Sequence, residues 1–197
     1  MKKVLPMFGA VASIIFITGT IFMGMFVDGY SPISGTVSEI GSIGSAMEVP
    51  YKVMLLSVGF SVSLFSFGIF MPILKEYSHT ILALFILSFG ISDIGMAIFP
   101  TPHKLHNIFG IAHLVGYFSP LVFLLTTKLK ETKVQSINRL VMVVIIIFLF
   151  LNLSPIFTRN LFPLEYYGVV QRALLYTFYL WLGWIGVLLF KQGSVKA

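Results

Sequence analysis

The feature that most constrains this chain is a series of six long apolar stretches, each close to the length that crosses a membrane as a helix. They lie at about 4–27, 51–74, 80–99, 102–127, 140–157 and 166–190. A bilayer core about 30 Å thick needs about 20 apolar residues in a helix. In lipid every backbone N–H and C=O must be bonded within the protein, which excludes an open sheet. The sequence therefore predicts an all-α bundle of six transmembrane helices, forming a single domain over residues 1–197.

Composition supports a multi-pass protein of the cell membrane and argues against a nucleic-acid partner. Only 10% of the residues are charged, whereas soluble domains carry about 25%. The net charge of +6 comes from basic residues at the ends of the apolar stretches, and a nucleic-acid site would need them in one patch. The chain has no cysteine, so it has neither a disulfide nor a thiolate metal site. The first apolar stretch is too long for a signal peptide, and we expect it to be retained as a span.

The distribution of Lys and Arg predicts that both termini are cytoplasmic, because cytoplasmic loops are rich in these residues. With the N-terminus inside, nine basic residues fall on the inner side: Lys2, Lys3, Lys75, Lys128, Lys130, Lys133, Arg139, Lys191 and Lys196. Four fall on the outer side or at outer span ends: Lys52, Lys104, Arg159 and Arg172. The segment between the first two spans and the hairpin from 93 to 113 then face outward.

The segment at 28–50 is predicted to form a short extracytoplasmic helix or a re-entrant turn over the bundle. Thr36 and Glu39 have the spacing of a capping box, in which the Thr side chain caps a helix start and the Glu side chain folds back to it. Two interpretations stay open. The segment is an ordered loop that packs for stability, or it is a lid whose Ser38 and Glu39 reach a functional site.

Polar side chains from several spans are predicted to lie in one layer of the outer half of the membrane. Measured from the outer end of each span at about 1.5 Å per residue, Asp93 lies about 9 Å deep, Asn152 about 8 Å and Arg172 about 9 Å. His106 lies about 6 Å deep and His113 about 16 Å. Polar groups at such depths usually face a bundle interior or a water-filled cavity. We therefore expect an outward-facing polar cleft.

These depths favour an ion pair between Asp93 and Arg172, since a lone charge in lipid costs several kcal/mol. Such a pair can be a structural clamp between two helices. Alternatively, Arg172 holds an anionic lipid headgroup, because a guanidinium binds phosphate in bidentate fashion.

Three of the four histidines, His103, His106 and His113, can share one face of the fourth span. His106 and His113 are about 10.5 Å apart along a helix axis, too far for one ion whose bonds to nitrogen are about 2.1 Å long. A zinc ion on His103 and His106 would need Asp93, Glu39 or water to complete it. A general base, a hydrogen-bond donor to a ligand, and purely structural histidines are the other interpretations.

Three motifs carry a resemblance to a known family: YSPISGTVSEIGS at 30–42, the FP…H…H arrangement at 99–113, and the Gln171–Arg172 pair. Together they resemble the prokaryotic six-span membrane family called domain of unknown function 998, over nearly the whole chain. The segment at 30–42 is more distantly similar to the P-x-I-S-D segment of eukaryotic autophagy-modulator and GPI-anchor-remodelling membrane proteins. In this chain Ser38 and Glu39 stand at the Ser-Asp positions of that segment. The resemblance implies six spans and work linked to lipids.

Two functions are consistent with these residues. In the first, the protein recognises a lipid headgroup in the outer leaflet, with Arg172 and Lys104 binding its anion and Glu39, Asp93 and His106 shaping the cleft. In the second, it is a membrane-embedded hydrolase or acyltransferase, with or without zinc, that uses His106, Asp93, Glu39 and Ser38. The candidate ligand-binding residues are Arg172, Gln171, His113, His103, Lys104 and Asn152. The sequence leaves the presence of a metal or another cofactor open.

Overall fold

A computed structural model describes residues 4–70, 77–126, 132–157 and 162–195. Over these residues it contains α-helices, short 3₁₀ turns and loops, and no β-strand. The predicted connections at 75–79, 127–139 and 158–165 lie partly outside this description, as do the inner ends of the second and fourth predicted spans. Seven of the basic residues used for the orientation also lie outside it: Lys2, Lys3, Lys75, Lys128, Lys130, Arg159 and Lys196.

The described residues form seven α-helices: α1 (Phe8–Gly24), α2 (Glu48–Phe70), α3 (Tyr77–Ile98), α4 (Lys104–Tyr117), α5 (Ser119–Thr126), α6 (Thr132–Phe157) and α7 (Tyr167–Val195). Helices α4 and α5 together make one span, so six candidate membrane spans result, all of them long and apolar enough to cross a bilayer. The all-α six-span bundle expected from the sequence is therefore confirmed. Helix α6 begins at Thr132, so part of the predicted basic linker is helical.

The six spans form a ring in which α1 packs against α2 and α7, α2 against α3, and α3 against α4. The ring closes through α5, which packs on α6, and α6 packs on α7. Helix α4, by contrast, scarcely touches α6. The bundle is consequently closed at the level of α5 and parted at the level of α4.

The fourth span breaks between α4 and α5 because Pro120 has no N–H to donate to the carbonyl of Gly116. The hydroxyl of Ser119 donates to that carbonyl instead, at 2.6 Å. The same solution occurs in α6, where Pro155 leaves the Leu151 carbonyl free and the Ser154 hydroxyl donates to it at 2.7 Å. The serine before each proline thus donates a hydrogen bond to a backbone carbonyl that lipid could not satisfy.

Glycines allow close helix contacts in two places of the ring. A Cβ atom on Gly59 of α2 would lie 2.7 Å from the carbonyl oxygen of Gly90 on α3. A Cβ atom on Gly9 of α1 would lie 2.7 Å from the carbonyl oxygen of Leu182 on α7. These glycines therefore let α2 pack closely on α3, and α1 on α7.

Candidate functional site

A cavity of about 600 Å³ lies within the parted side of the bundle. Its size is within the range of ligand pockets, about 300–1,000 Å³. One end is polar, where the loop before α2, the turn between α3 and α4, and the start of α7 meet. Its polar lining residues are Thr36, Ser38, Tyr51, Asp93, Thr101, His106, Asn107, His113, Tyr117, Asn152, Tyr167 and Gln171. Its apolar wall includes Leu55, Ile111, Leu114, Leu149, Leu153, Leu174 and Leu175.

The cavity lies beside the gap between α4 and α6, since both helices line it and they scarcely touch each other. Ile111 of α4 lines it and is 65% exposed. Leu149 and Leu153 of α6 line the cavity and are half-buried. Apolar side chains of both helices therefore line this side of the cavity, together with Asn107 and Asn152.

Asp93 is completely buried at the cavity wall and accepts two hydrogen bonds. The Nε2 of His113 lies 3.0 Å from its Oδ1, and the hydroxyl of Tyr179 donates to its Oδ2 at 2.8 Å. Because a carboxylate can only accept, His113 donates through Nε2. The imidazole is also stacked on Phe89, with the ring centres 3.9 Å apart. The carboxylate, imidazole and phenol thus join α3, α4 and α7 in one buried network.

The predicted ion pair between Asp93 and Arg172 is wrong. The partner that α7 gives to Asp93 is Tyr179, which lies seven residues, or about 10 Å, further along that helix than Arg172. The depths inferred from the sequence are measured from the outer end of each span, and the outer ends of α3 and α7 are not level. Arg172 therefore lies further out than Asp93 and finds other partners.

Arg172 fastens the loop between α1 and α2 to the start of α7. Its Nη1 donates to the carbonyl oxygens of Pro32 at 2.7 Å and Gly35 at 2.9 Å, and its Nη2 donates to the hydroxyl of Tyr30. Burial raises the pKa of the Tyr30 phenol above its ordinary value, and the nearby Arg172 acts in the opposite direction. Gly168 permits this contact, because a side chain there would collide with the Gly35 carbonyl.

Two further contacts hold the same loop over the cavity. The N–H of Val37 donates to the Oε1 of Gln171 at 2.7 Å, and the N–H of Ile43 donates to the carbonyl of Thr101 at 2.9 Å. The loop is thereby joined to α7 on one side and to the α3–α4 turn on the other. This pattern is that of an ordered cap, and within it Ser38 lines the cavity.

The expected helix in this loop is a short 3₁₀ helix, Val37–Gly41, and Thr36 is its N-cap residue. The predicted capping box is not formed, because the Thr36 hydroxyl donates to the Glu39 carboxylate at 2.9 Å and makes no cap bond to the backbone. Glu39 is exposed and does not line the cavity. Of the two residues proposed to reach the site, only Ser38 does so.

His106 lines the cavity and is 9% exposed. Its Nδ1 lies 3.0 Å from the carbonyl oxygen of Phe99. A carbonyl only accepts, so Nδ1 carries the proton in this contact. The backbone of Met96 is a second hydrogen-bonding neighbour of the same ring.

The remaining predicted residues of the fourth span lie outside the cavity. His103 caps α4, accepting from the Leu105 N–H through Nδ1 at 3.1 Å. Lys104 is exposed at the start of the helix. In the part of the chain that the structure describes, no three His, Asp or Glu side chains lie close enough together to hold a metal ion.

The structure brings six of the ten predicted site residues into one cavity and leaves four outside it. Those that line it are Ser38, Asp93, His106, His113, Asn152 and Gln171. Those that do not are Glu39, His103, Lys104 and Arg172. The shared cavity gives the polar layer inferred from the sequence a concrete location.

Sequence reasoning missed both Tyr179 and Tyr117. A signal for Tyr179 was available, since Arg172, Tyr176 and Tyr179 recur at i, i+4 and i+7 and therefore share one face of a helix. All three make buried or half-buried polar contacts; the Tyr176 hydroxyl lies 2.9 Å from Thr20 Oγ1. The role of Tyr51 had no comparable signal, because it depends on where the cavity lies.

Comparison with known proteins places the chain in a family. The family described as Protein of unknown function (DUF998) matches residues 10–188. Searches of curated proteins and of solved structures gave no match, so the more distant likeness to autophagy-modulator proteins stays a prediction. The matched region covers most of all six membrane helices and every residue that lines the cavity. This chain therefore belongs to the DUF998 family.

Proposed function

We propose that this protein binds a membrane lipid in the cavity between α4 and α6, with the polar part of the lipid at the capped end. The observation that carries the proposal is the gap between α4 and α6, two membrane-spanning helices that line the cavity with apolar side chains such as Ile111 and Leu149. A lipid that diffuses within the bilayer would reach the cavity through such a gap. Ser38, His106 and Gln171 at the polar end are the groups that would meet the headgroup.

The proposal places the capped end of the bundle at the outer face of the cell membrane. An even number of spans puts both termini on one side, and the basic residues favour the cytoplasm. The polar end of the cavity then opens toward the outer leaflet. His113 and Asn152 lie further along the cavity wall and belong to the proposed site. Arg172, Lys104 and His103 do not, because none of them lines the cavity.

A membrane-embedded hydrolase or acyltransferase is the second candidate. The observation that favours it is that the imidazole of His106 and the hydroxyl of Ser38 line the same cavity. In this function the neutral imidazole would take a proton from water or from the hydroxyl as it attacks a lipid ester. Asp93 would act at a distance, because its imidazole partner is His113 and not His106.

Lipid binding is tested with a substitution that fills part of the cavity. Gly110 lines the cavity, and a Cβ atom there would meet only the Sδ of Met96, at 4.0 Å, so the backbone has room for the Gly110→Leu substitution. The control is Ile108→Phe, which adds bulk at a residue of the same helix that is 58% exposed and does not line the cavity. We expect Gly110→Leu to lose most of the lipid that co-purifies with the wild type in native mass spectrometry, and Ile108→Phe to retain it.

Equal lipid retention by Gly110→Leu and the wild type would refute the proposal. The enzymatic candidate is tested separately, by incubating wild type and His106→Ala with a panel of lipid esters. Turnover by the wild type that His106→Ala abolishes would establish it, and the absence of turnover in the presence of bound lipid would leave recognition as the function.

A further inference from the structure

Several polar atoms in the cavity wall find no partner among the described residues. The hydroxyls of Tyr51 and Tyr117 make no hydrogen bond to any of them, although these side chains are only 6% and 5% exposed. The Nδ2 of Asn152 is a buried donor that likewise has no partner in the described chain. Of these three donors only Asn152 Nδ2 is itself buried, whereas the two phenol hydroxyls keep access to the space of the cavity. The cavity wall therefore offers a ligand three unused donors, from three different helices.

Among the described residues, the acidic and basic groups that line the cavity are the carboxyl group of Asp93 and the imidazoles of His106 and His113. Asp93 is completely buried, and each of its oxygens already accepts one hydrogen bond, from His113 or from Tyr179. No Lys or Arg of the described chain lines the cavity. An anionic group bound there would have no counter-charge, and a cationic group would have to compete with the existing partners of Asp93. Either charge would incur a desolvation cost without an ion pair to offset it.

From these two observations we infer that the ligand carries an uncharged polar group with acceptor oxygens, such as the hydroxyl and ester carbonyls of a diacylglycerol, and not a phosphate-bearing headgroup. This inference rests on the proposed lipid binding and specifies its chemistry. The free donors of Tyr51, Tyr117 and Asn152 bind the oxygens of the lipid. The imidazole of His106, which lines the same cavity, is the group that meets the lipid hydroxyl.

An uncharged ligand explains why two of the three donors are phenol hydroxyls. A tyrosine hydroxyl donates to a carbonyl without bringing a charge into the membrane interior, where a lysine or arginine would cost several kcal/mol. Removing a hydroxyl that has no partner in the described chain should leave the fold intact, so Tyr→Phe substitutions report on the ligand alone. This property makes Tyr51 and Tyr117 suitable for a direct test.

The test compares lipids that share the same acyl chains and differ only in the headgroup. Purified protein in detergent micelles is titrated with dioleoylglycerol, dioleoyl-phosphatidylglycerol and dioleoyl-phosphatidylethanolamine, and binding is followed by native mass spectrometry. We expect dioleoylglycerol to bind at least about tenfold more tightly than either phospholipid. Tyr51→Phe and Tyr117→Phe should each weaken its binding about 5–10-fold, the effect of one lost hydrogen bond at 1.4 kcal/mol per factor of ten. The matched control is Tyr166→Phe, at an exposed tyrosine outside the cavity.

The outcomes separate this inference from the proposed function. Tighter binding of a phospholipid, abolished by Gly110→Leu, would overturn the inference and leave lipid binding in the cavity intact. Binding of dioleoylglycerol that Tyr51→Phe, Tyr117→Phe and Tyr166→Phe leave unchanged would also overturn it. If Gly110→Leu binds all three lipids like the wild type, lipid binding in the cavity fails and the inference fails with it.

Discussion

Replacing Tyr179 by Phe removes one oxygen atom from the centre of the bundle and leaves the ring in place. The hydroxyl lost is the one that donates to Asp93 Oδ2 at 2.8 Å, between two residues that are each 0% exposed. The substitution therefore measures what the Asp93 network contributes to the stability of the bundle.

The expected cost follows from the charge on the acceptor. A hydrogen bond to a charged group contributes about 1.5–3 kcal/mol, whereas neutral hydrogen bonds between membrane helices average about 0.6 kcal/mol. Tyr176, one turn earlier on α7, is the natural control, because its hydroxyl binds the neutral Thr20 hydroxyl at 2.9 Å. We expect Tyr179→Phe to lower the free energy of unfolding by about 1.5–3 kcal/mol, and Tyr176→Phe by about 0.6 kcal/mol.

The measurement is reversible unfolding in mixed detergent and dodecyl sulfate micelles, followed by the fluorescence of the two tryptophans. A double-mutant cycle with Asp93→Asn isolates the pair, and we expect a coupling energy of about 1 kcal/mol or more. Equal costs for Tyr179→Phe and Tyr176→Phe, together with a coupling near zero, would refute the view that Asp93 is a charged acceptor held by this network.

Three further substitutions test how the cavity is built. Arg172→Lys should increase amide hydrogen exchange in the loop at 28–47, because a single ammonium cannot bind several carbonyls in the geometry of a guanidinium; unchanged exchange would contradict its fastening role. Gly59→Leu should lower the thermal midpoint through a cost of about 1–3 kcal/mol or more, since its Cβ alone would lie 2.7 Å from the Gly90 carbonyl; an unchanged midpoint would mean that α2 and α3 can separate freely. Ser154→Ala should cost about 1 kcal/mol in unfolding experiments, because it strands the Leu151 carbonyl in the membrane interior; no change there would mean that another group satisfies this carbonyl.

The candidate site was predictable as a group of residues but not as a set of contacts. Asp93, His106 and Asn152 are polar residues inside apolar stretches, and burial cost alone says that they face the interior. Their hydrogen-bond partners depend on how far each helix is shifted along its axis relative to its neighbours, and residue numbers do not give this shift. For this reason the sequence suggested Arg172 for Asp93, and the folded chain uses His113 and Tyr179.

The class of fold follows from the sequence alone, because six apolar stretches in a bilayer have to become helices that satisfy their own backbone groups. The sequence also indicates that polar side chains of several spans share one layer of the bundle. The separation of α4 from α6 became visible only in the folded chain, as did the cavity of about 600 Å³ and the position of Tyr51 and Tyr117 in its wall. Hydropathy depends on each segment alone, whereas a gap between two helices depends on how every other pair in the ring packs.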